Sequence, residues 1–166
     1  MKVTVRAATR SDSAALVELV RRLNVHQGDP TEHFTQATLE RDVFGPEAYL
    51  EAIVAERSGE LVGYAFSHDG YDSGWAARGI YLCDLFVVPH ARRLGVGRAL
   101  VAAAARRARE RGRTFLWWAS YAWNDDAQRF YDTLKVKSDK VVAHALTHAA
   151  FEAMADEGAR ASDLER

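Results

Sequence analysis

Read only for its apolar and polar positions, the chain switches between two periods. Val3-Thr4-Val5 is a short strand pattern. Ala15, Leu16, Leu19, Val20 and Leu23 then recur at helical spacing and predict a helix over residues 12–23. Thr9 with Asp12 supplies a capping-box type of start, and the run His26-Gln-Gly-Asp-Pro30 ends it. A second helical piece is predicted over 35–44, closed by Gly45-Pro46. Residues 49–56 and 61–66 alternate as strands around the hairpin turn Arg57-Ser-Gly-Glu60. Residues 67–79 are polar and carry Gly70, Gly74 and Gly79, which reads as a loop. An apolar strand ending in Leu85-Phe86-Val87-Val88 follows and is stopped by Pro89. Beyond it lie an alanine-rich helix to about residue 111, an aromatic strand over 114–119 and a helix over 125–134. A strand over 140–146 and a helical tail over 149–157 complete the pattern.

Composition narrows the class. With 166 residues, one domain with a real core is expected over 1–166. A formal net charge of −1 argues against a surface built wholly for nucleic acid. No window is long and apolar enough for a membrane span, and the N-terminus lacks the apolar core of a signal peptide. The expectation is a cytoplasmic protein without a membrane partner. Cys83 is the single cysteine, so neither an internal disulfide nor a cysteine-cluster zinc site can form. His144 and His148 are spaced i, i+4 but straddle a predicted strand–helix boundary with no third ligand, and no metal is expected.

The most informative junction is the one between Val88 and the alanine-rich helix. Arg92-x-x-Gly95-x-Gly97-Arg98 places two glycines where a helix begins. The first N–H groups of a helix lack intrahelical partners, and its dipole adds partial positive charge there. Glycines let an anion approach the backbone, and Arg92, Arg93 and Arg98 add full charges. By itself the pattern is also that of an ordinary strand-to-helix turn. It is neither a P-loop nor a complete dinucleotide fingerprint.

Taken whole, strand, proline, arginine, glycine pair and helix resemble motif A of the GNAT superfamily of N-acetyltransferases. The element order matches that family from end to end, most specifically over residues 80–134. The resemblance implies an α/β GNAT fold, with a mixed, mostly antiparallel sheet of six to seven strands flanked by helices and splayed at the acetyl-CoA site. It implies acetyl-CoA as co-substrate, held by Leu85, Phe86, Val87, Arg92, Arg93, Leu94, Gly95, Val96, Gly97, Arg98, Asn124 and Tyr131. Backbone at Leu85 and Val87 would pair with the pantetheine arm and the thioester oxygen. Asn124-Asp-Asp-Ala-Gln-Arg-Phe-Tyr131 resembles the family's motif B, in which such a tyrosine protonates the coenzyme A thiolate. Tyr131 is also spaced to be a core aromatic beside Phe130.

Within the superfamily, residues 39–45, Gly70-Tyr-Asp-Ser with Trp75, and Tyr81-Leu-Cys-Asp-Leu-Phe-Val87 resemble the diamine and thialysine acetyltransferase branch. That likeness implies a small-molecule primary amine as acceptor, a polyamine, a diamine or an amino-acid-like compound, with His26, Asp72, Trp75, Cys83 and Asp84 as the substrate-binding set and Asp84 and Tyr131 as the catalytic pair. The branch carries Glu-Asp where this chain has Cys83-Asp84, so Asp84 is left to supply the acidity. It also carries glycine where this chain has Lys135. Cys83, in a strand pattern, reads as inert packing more than as a nucleophile. Trp117, Trp118, Tyr121 and Trp123 read as core, dimer surface or substrate wall, and a homodimer is expected. A noncatalytic acyl-CoA sensor and acetylation of a protein amine are the alternative functions. A nucleic-acid reading rests only on the arginines of 106–113, a run that usually forms a solvated helix face.

Overall fold

The computed structural model describes residues 2–163. These fall into two units that divide between Phe130 and Tyr131. The first holds a five-stranded sheet in sequence order: β1 (Thr4–Ala7), β2 (Glu51–Arg57), β3 (Glu60–Asp72), β4 (Ala77–Val87) and β5 (Leu116–Trp117). All neighbours are antiparallel except β4 and β5, which run parallel. Helices α1 (Ser13–Gln27), α2 (Gln36–Leu39, continued by a π-helical turn Glu40–Phe44) and α3 (Val96–Glu110) complete it.

The core forms where the predicted apolar faces meet. Leu16, Leu19, Val20 and Leu23 of α1, Val54 of β2, Tyr64 and Phe66 of β3, and Val96, Leu100 and Ala104 of α3 are buried together. Ala15, which shares the predicted helix face, is exposed. The turn joining β2 to β3 puts Ser58 (φ 55°) and Gly59 (φ 82°) in the left-handed region, the geometry that follows the twist of a tight hairpin. Asp12, predicted to open α1, accepts the Thr9 N–H at 2.7 Å and pairs with Arg6 of β1.

The sequence-based picture needs correcting at three places. Residues 67–79 are not a loop: β3 and β4 run on as a long hairpin as far as the Asp72–Ala77 pair, and only 73–76 turn. Gly79, one of the glycines that suggested a loop, instead leaves room for the Phe115 ring packed on it. The aromatic strand shrinks to Leu116–Trp117. The strand expected over 140–146 is not formed among the described residues, so the sheet has five strands where six to seven were expected.

Helix α4 (Asp125–Thr133) begins in the first unit and ends in the second. The second unit continues through an irregular segment into α5 (His148–Asp163). Lys135 adopts φ 57° just beyond α4, the left-handed position that the resembling family fills with glycine. His144 lies in the irregular segment and His148 opens α5, so the pair does not share a helix face. No group of three metal-ligating side chains occurs among the described residues.

Candidate active site

Three features of β4 and the turn after it build the site. The first is a bulge. Ser67 pairs with Leu82 and Phe66 with Asp84, so Cys83 is an extra residue on β4. The extra residue reverses which backbone groups face the next strand. Before the bulge, Ile80 N–H points toward the β5 side and donates to Phe115 O at 3.0 Å. After it, Val88 N–H turns to β3 and donates to Val62 O at 3.0 Å, which leaves the edge groups of Leu85 and Val87 facing away from β3.

The second feature is the splay. β5 pairs with β4 only at Ile80–Leu116 and Tyr81–Trp117. Among the described residues, the β4 edge from Leu82 to Val87 therefore takes no strand partner on that side. Unpaired strand edge is a template for an extended, amide-bearing ligand.

The third is the α3 N-terminus. Pro89–Ala91 makes one 3₁₀ turn after β4, and Gly95, which has no side chain with which to bond the exposed helix end, caps α3 in the left-handed conformation (φ 81°). A Cβ on Gly95 would meet nothing within 4 Å, so the approach to the first helical N–H groups is open. Arg93 also sits at positive φ (61°), a strained setting typical of ligand-holding turns. Gly97 serves differently from expectation: a Cβ there would come within 3.0 Å of the Phe130 ring, so this glycine lets α4 pack on α3. Arg92 is drawn back onto the strand, its Nε donating to Val87 O at 3.1 Å, with Asp126 3.9 Å from its Nη1. Phe86 is buried beneath the site, whereas Leu94 and Arg98 are exposed.

Asp84 faces the same side of the sheet as Tyr64, whose hydroxyl donates to it at 3.0 Å. Burial raises the Asp84 carboxyl above its ordinary range; the Tyr64 hydrogen bond opposes this, and the charge of Asp29 adds to it. Burial and the neighbouring carboxylate hold the Tyr64 hydroxyl protonated. The Cys83 side chain reaches solvent, contrary to the buried packing expected of it. Desolvation by the surrounding protein and the Asp84 charge push its thiol up to about 11, which makes it a poor nucleophile at neutral pH.

His26, in the last turn of α1, meets the Trp123 ring edge-on at 5.9 Å, and Trp123 stacks on Tyr121 at 5.4 Å. Asp29 lies just past that helix end, and its charge helps raise the Asp84 carboxyl. Asp29 was not singled out from sequence, because nothing in a short polar break signals it, whereas Tyr121 and Trp123 belong to the aromatic group read as core, dimer surface or substrate wall. Asp72 and Trp75 lie instead at the tip of the β3–β4 hairpin, where Asp72 Oδ1 accepts the Trp75 N–H and Trp75 is exposed. Seven residues of strand separate that tip from Asp84, about 23 Å at the usual rise, so the structure does not bring them together.

Asn124 caps α4, its Oδ1 accepting the Ala127 N–H at 3.1 Å. Tyr131, in the second unit, is half-buried, and burial raises its hydroxyl to about 12. Of the arginines in 106–113, Arg106 pairs with Glu110, Arg107 and Arg111 with Glu51, and Arg113 with Asp69. Such pairing fits a solvated helix face and offers little bare charge to phosphates.

Residues 15–135 match the Acetyltransferase (GNAT) family. The chain belongs to the GNAT acetyltransferase family. It is 30% identical over 151 residues to the uncharacterised N-acetyltransferase YhfO of Bacillus subtilis (strain 168), covering 86% of this chain and 95% of that one. It is likewise 30% identical over 142 residues to thialysine N-epsilon-acetyltransferase of Bos taurus, covering 80% and 82%. Among solved structures, an integron cassette protein from the mobile metagenome of V. cholerae shares the fold, with a TM-score of 0.77 at 20% identity over 93% of this chain and 98% of that one. GNAT membership makes the protein an N-acetyltransferase and acetyl-CoA its co-substrate. The uncapped α3 end and the open β4 edge suit the two parts of that molecule, an anionic pyrophosphate and an amide-bearing arm.

Proposed function

We propose that the chain transfers the acetyl group of acetyl-CoA directly to a primary amine of a small molecule. The observation that carries this reading is the β4 edge left open after the Cys83 bulge, leading straight into the uncapped α3 N-terminus. In the proposal, Arg92 to Arg98 surround the pyrophosphate, and backbone of Leu85, Phe86 and Val87 aligns the pantetheine arm. Asn124 organises the start of α4 beside them. Residues 1–166 act as a single catalytic domain.

The acceptor enters as an ammonium ion and must lose a proton to attack. Asp84, its carboxyl raised by burial, receives that proton and passes it to solvent. The amine nitrogen then bonds to the thioester carbon and the carbon–sulfur bond breaks. The departing thiolate takes the Tyr131 hydroxyl proton, and the second proton shed by the nitrogen restores that hydroxyl, so the one proton passed on by Asp84 is the only one released. A hydroxyl at about 12 is fully protonated at neutral pH, as an acid must be. Kinship with the thialysine enzyme supports a small amine acceptor, with His26 and Cys83 beside Asp84.

The test is Tyr131→Phe, which keeps the ring and removes its proton. Turnover is expected to fall about 10²- to 10⁴-fold while calorimetric acetyl-CoA affinity stays within twofold. Unchanged turnover would reassign Tyr131 to packing. A wild-type protein that binds acetyl-CoA yet acetylates no amine would point to the noncatalytic sensor. We extend the proposal to a homodimer in the cytoplasm, supported by the exposed Val141, Val142, Leu146, Phe151 and Met154. A monomer mass by light scattering would overturn it.

A further inference from the structure

Four rings cross the sheet in file on one face. Tyr49, in the loop before β2, stacks on His68 of β3 at 5.1 Å. His68 meets Tyr81 of β4 at 5.2 Å, and Tyr81 meets Trp117 of β5 at 5.1 Å. Register alone makes the last three neighbours, since His68 pairs with Tyr81 and Tyr81 with Trp117. A core stripe would be covered, but Tyr49 is 68% and Trp117 54% exposed.

This stripe joins the reaction centre. Along β3, Tyr64, Phe66 and His68 alternate onto one face, and Tyr64 carries the hydrogen bond to Asp84 there. Asp84 and Tyr81 therefore share that face, three residues apart, about 10 Å at the usual strand rise. Desolvation, then the charges of Cys83 and Asp84, raise the Tyr81 hydroxyl, which agrees with that neighbourhood. Trp117 stands at the last β4–β5 pair, where the two strands part and the open edge begins.

The stripe is also poor in charge. Beside Asp84 the strand offers a neutral thiol at Cys83, and beyond it stand the rings of His68, Tyr81 and Trp117. Asp69, the next carboxylate on β3, is bound by Arg113. Among the described residues, the ring positions of β3, β4 and β5 add no carboxylate for the second ammonium of a diamine or polyamine; the one other carboxylate that acts on Asp84, Asp29, lies past the end of α1 and off the stripe. A flat apolar group would find three rings. Resting on the acetyl-transfer reading, we infer that the acceptor is a monoamine with an aromatic body, its nitrogen at Asp84 and its ring against Tyr81 and Trp117, which set the specificity.

The experiment follows coenzyme A release by the full-length protein with 2-phenylethylamine, tryptamine, 1,4-diaminobutane, spermidine and a lysine-containing peptide. The arylalkylamines are expected to exceed the others tenfold or more in kcat/KM. Trp117→Ala should reduce that preference at least fivefold, through KM more than kcat, and Trp117→Phe should restore most of it. Circular dichroism melting checks the fold of each variant, and the wild-type panel decides even if one fails to fold. Preference for the diamine, spermidine or the peptide, or a preference untouched in Trp117→Ala, overturns the inference and leaves acetyl transfer standing. Absence of acetylation of every amine, with acetyl-CoA still bound, overturns both.

Discussion

Lys135 carries a conformation that its side chain opposes. At φ 57° a Cβ crowds the following carbonyl, and glycine escapes that cost. Lys135→Gly should therefore stabilise the protein by about 0.5–1 kcal/mol, after allowing for the freer unfolded chain. In thermal unfolding this is a rise of roughly 1–4 °C for a chain of this size. An unchanged or lower midpoint would show that the turn tolerates lysine without strain. The departure from glycine was visible in the sequence, but the retention of the turn was not, because lysine hides the need for positive φ. Cys83 teaches the same lesson. Nothing in Leu82-Cys83-Asp84-Leu85 announces an extra residue, so sequence alone placed the thiol in the core, whereas the bulge turns it to solvent.

Among elements, the start of α3 was the most legible. Proline, arginine and glycines are demanded there by backbone geometry, and geometry leaves a residue-type signature. Even so, the two glycines part company in the fold. Gly95→Ala meets open space but forces alanine to φ 81°, and it places a methyl group before the helical N–H groups. Calorimetry should find acetyl-CoA affinity lowered tenfold or more, about 1.4 kcal/mol. Gly97→Ala instead presses on the Phe130 ring at 3.0 Å, so its main effect should be a lower melting temperature. Equal affinities for wild type and Gly95→Ala would remove the anion-site assignment. The β3–β4 hairpin was the least legible element. Its glycines and polar residues match a loop because one is set by ring packing, and because a strand pair with an open face needs few apolar residues.

At the scale of the whole molecule, Arg6 of β1 ties the sheet to the start of α1. Its guanidinium holds Asp12 at 2.7 Å and Glu56 of β2 at 2.9 Å. The Arg6 hydrogen bonds, opposed by burial and helped by Thr9, keep the Asp12 carboxyl well below the usual carboxylate range. A depressed folded-state pKa gives stability that is present above the unfolded value, about 4, and is lost as pH falls below it. Asp84, raised by burial, has the opposite sign: its protonation as pH falls favours the fold. Asp12→Asn should thus cost about 1–2 kcal/mol at pH 7 in denaturant titrations, a figure reduced because Arg6 is partly solvated, and the cost should shrink progressively as pH falls below about 4. A penalty independent of pH would dismiss the ion pair as its source. The element order was legible because helical and strand periods persist over long stretches, and the family because the junction of strand, Pro89, Arg92, Gly95, Gly97 and helix resembles its motif A. The acceptor face was not, because it depends on which strands sit side by side: Tyr49, His68, Tyr81 and Trp117 are scattered over 69 positions.

The Cys83 bulge divides β4 into two lengths whose side-chain alternation is set separately. Outward of it, residues answer to β5 and the ring stripe; inward, they answer to the open edge proposed to meet the thioester. Under selection for a new acceptor, substitutions in the outer length leave the phase of the inner one intact. One strand can thereby change what it recognises while keeping the donor grip it inherited.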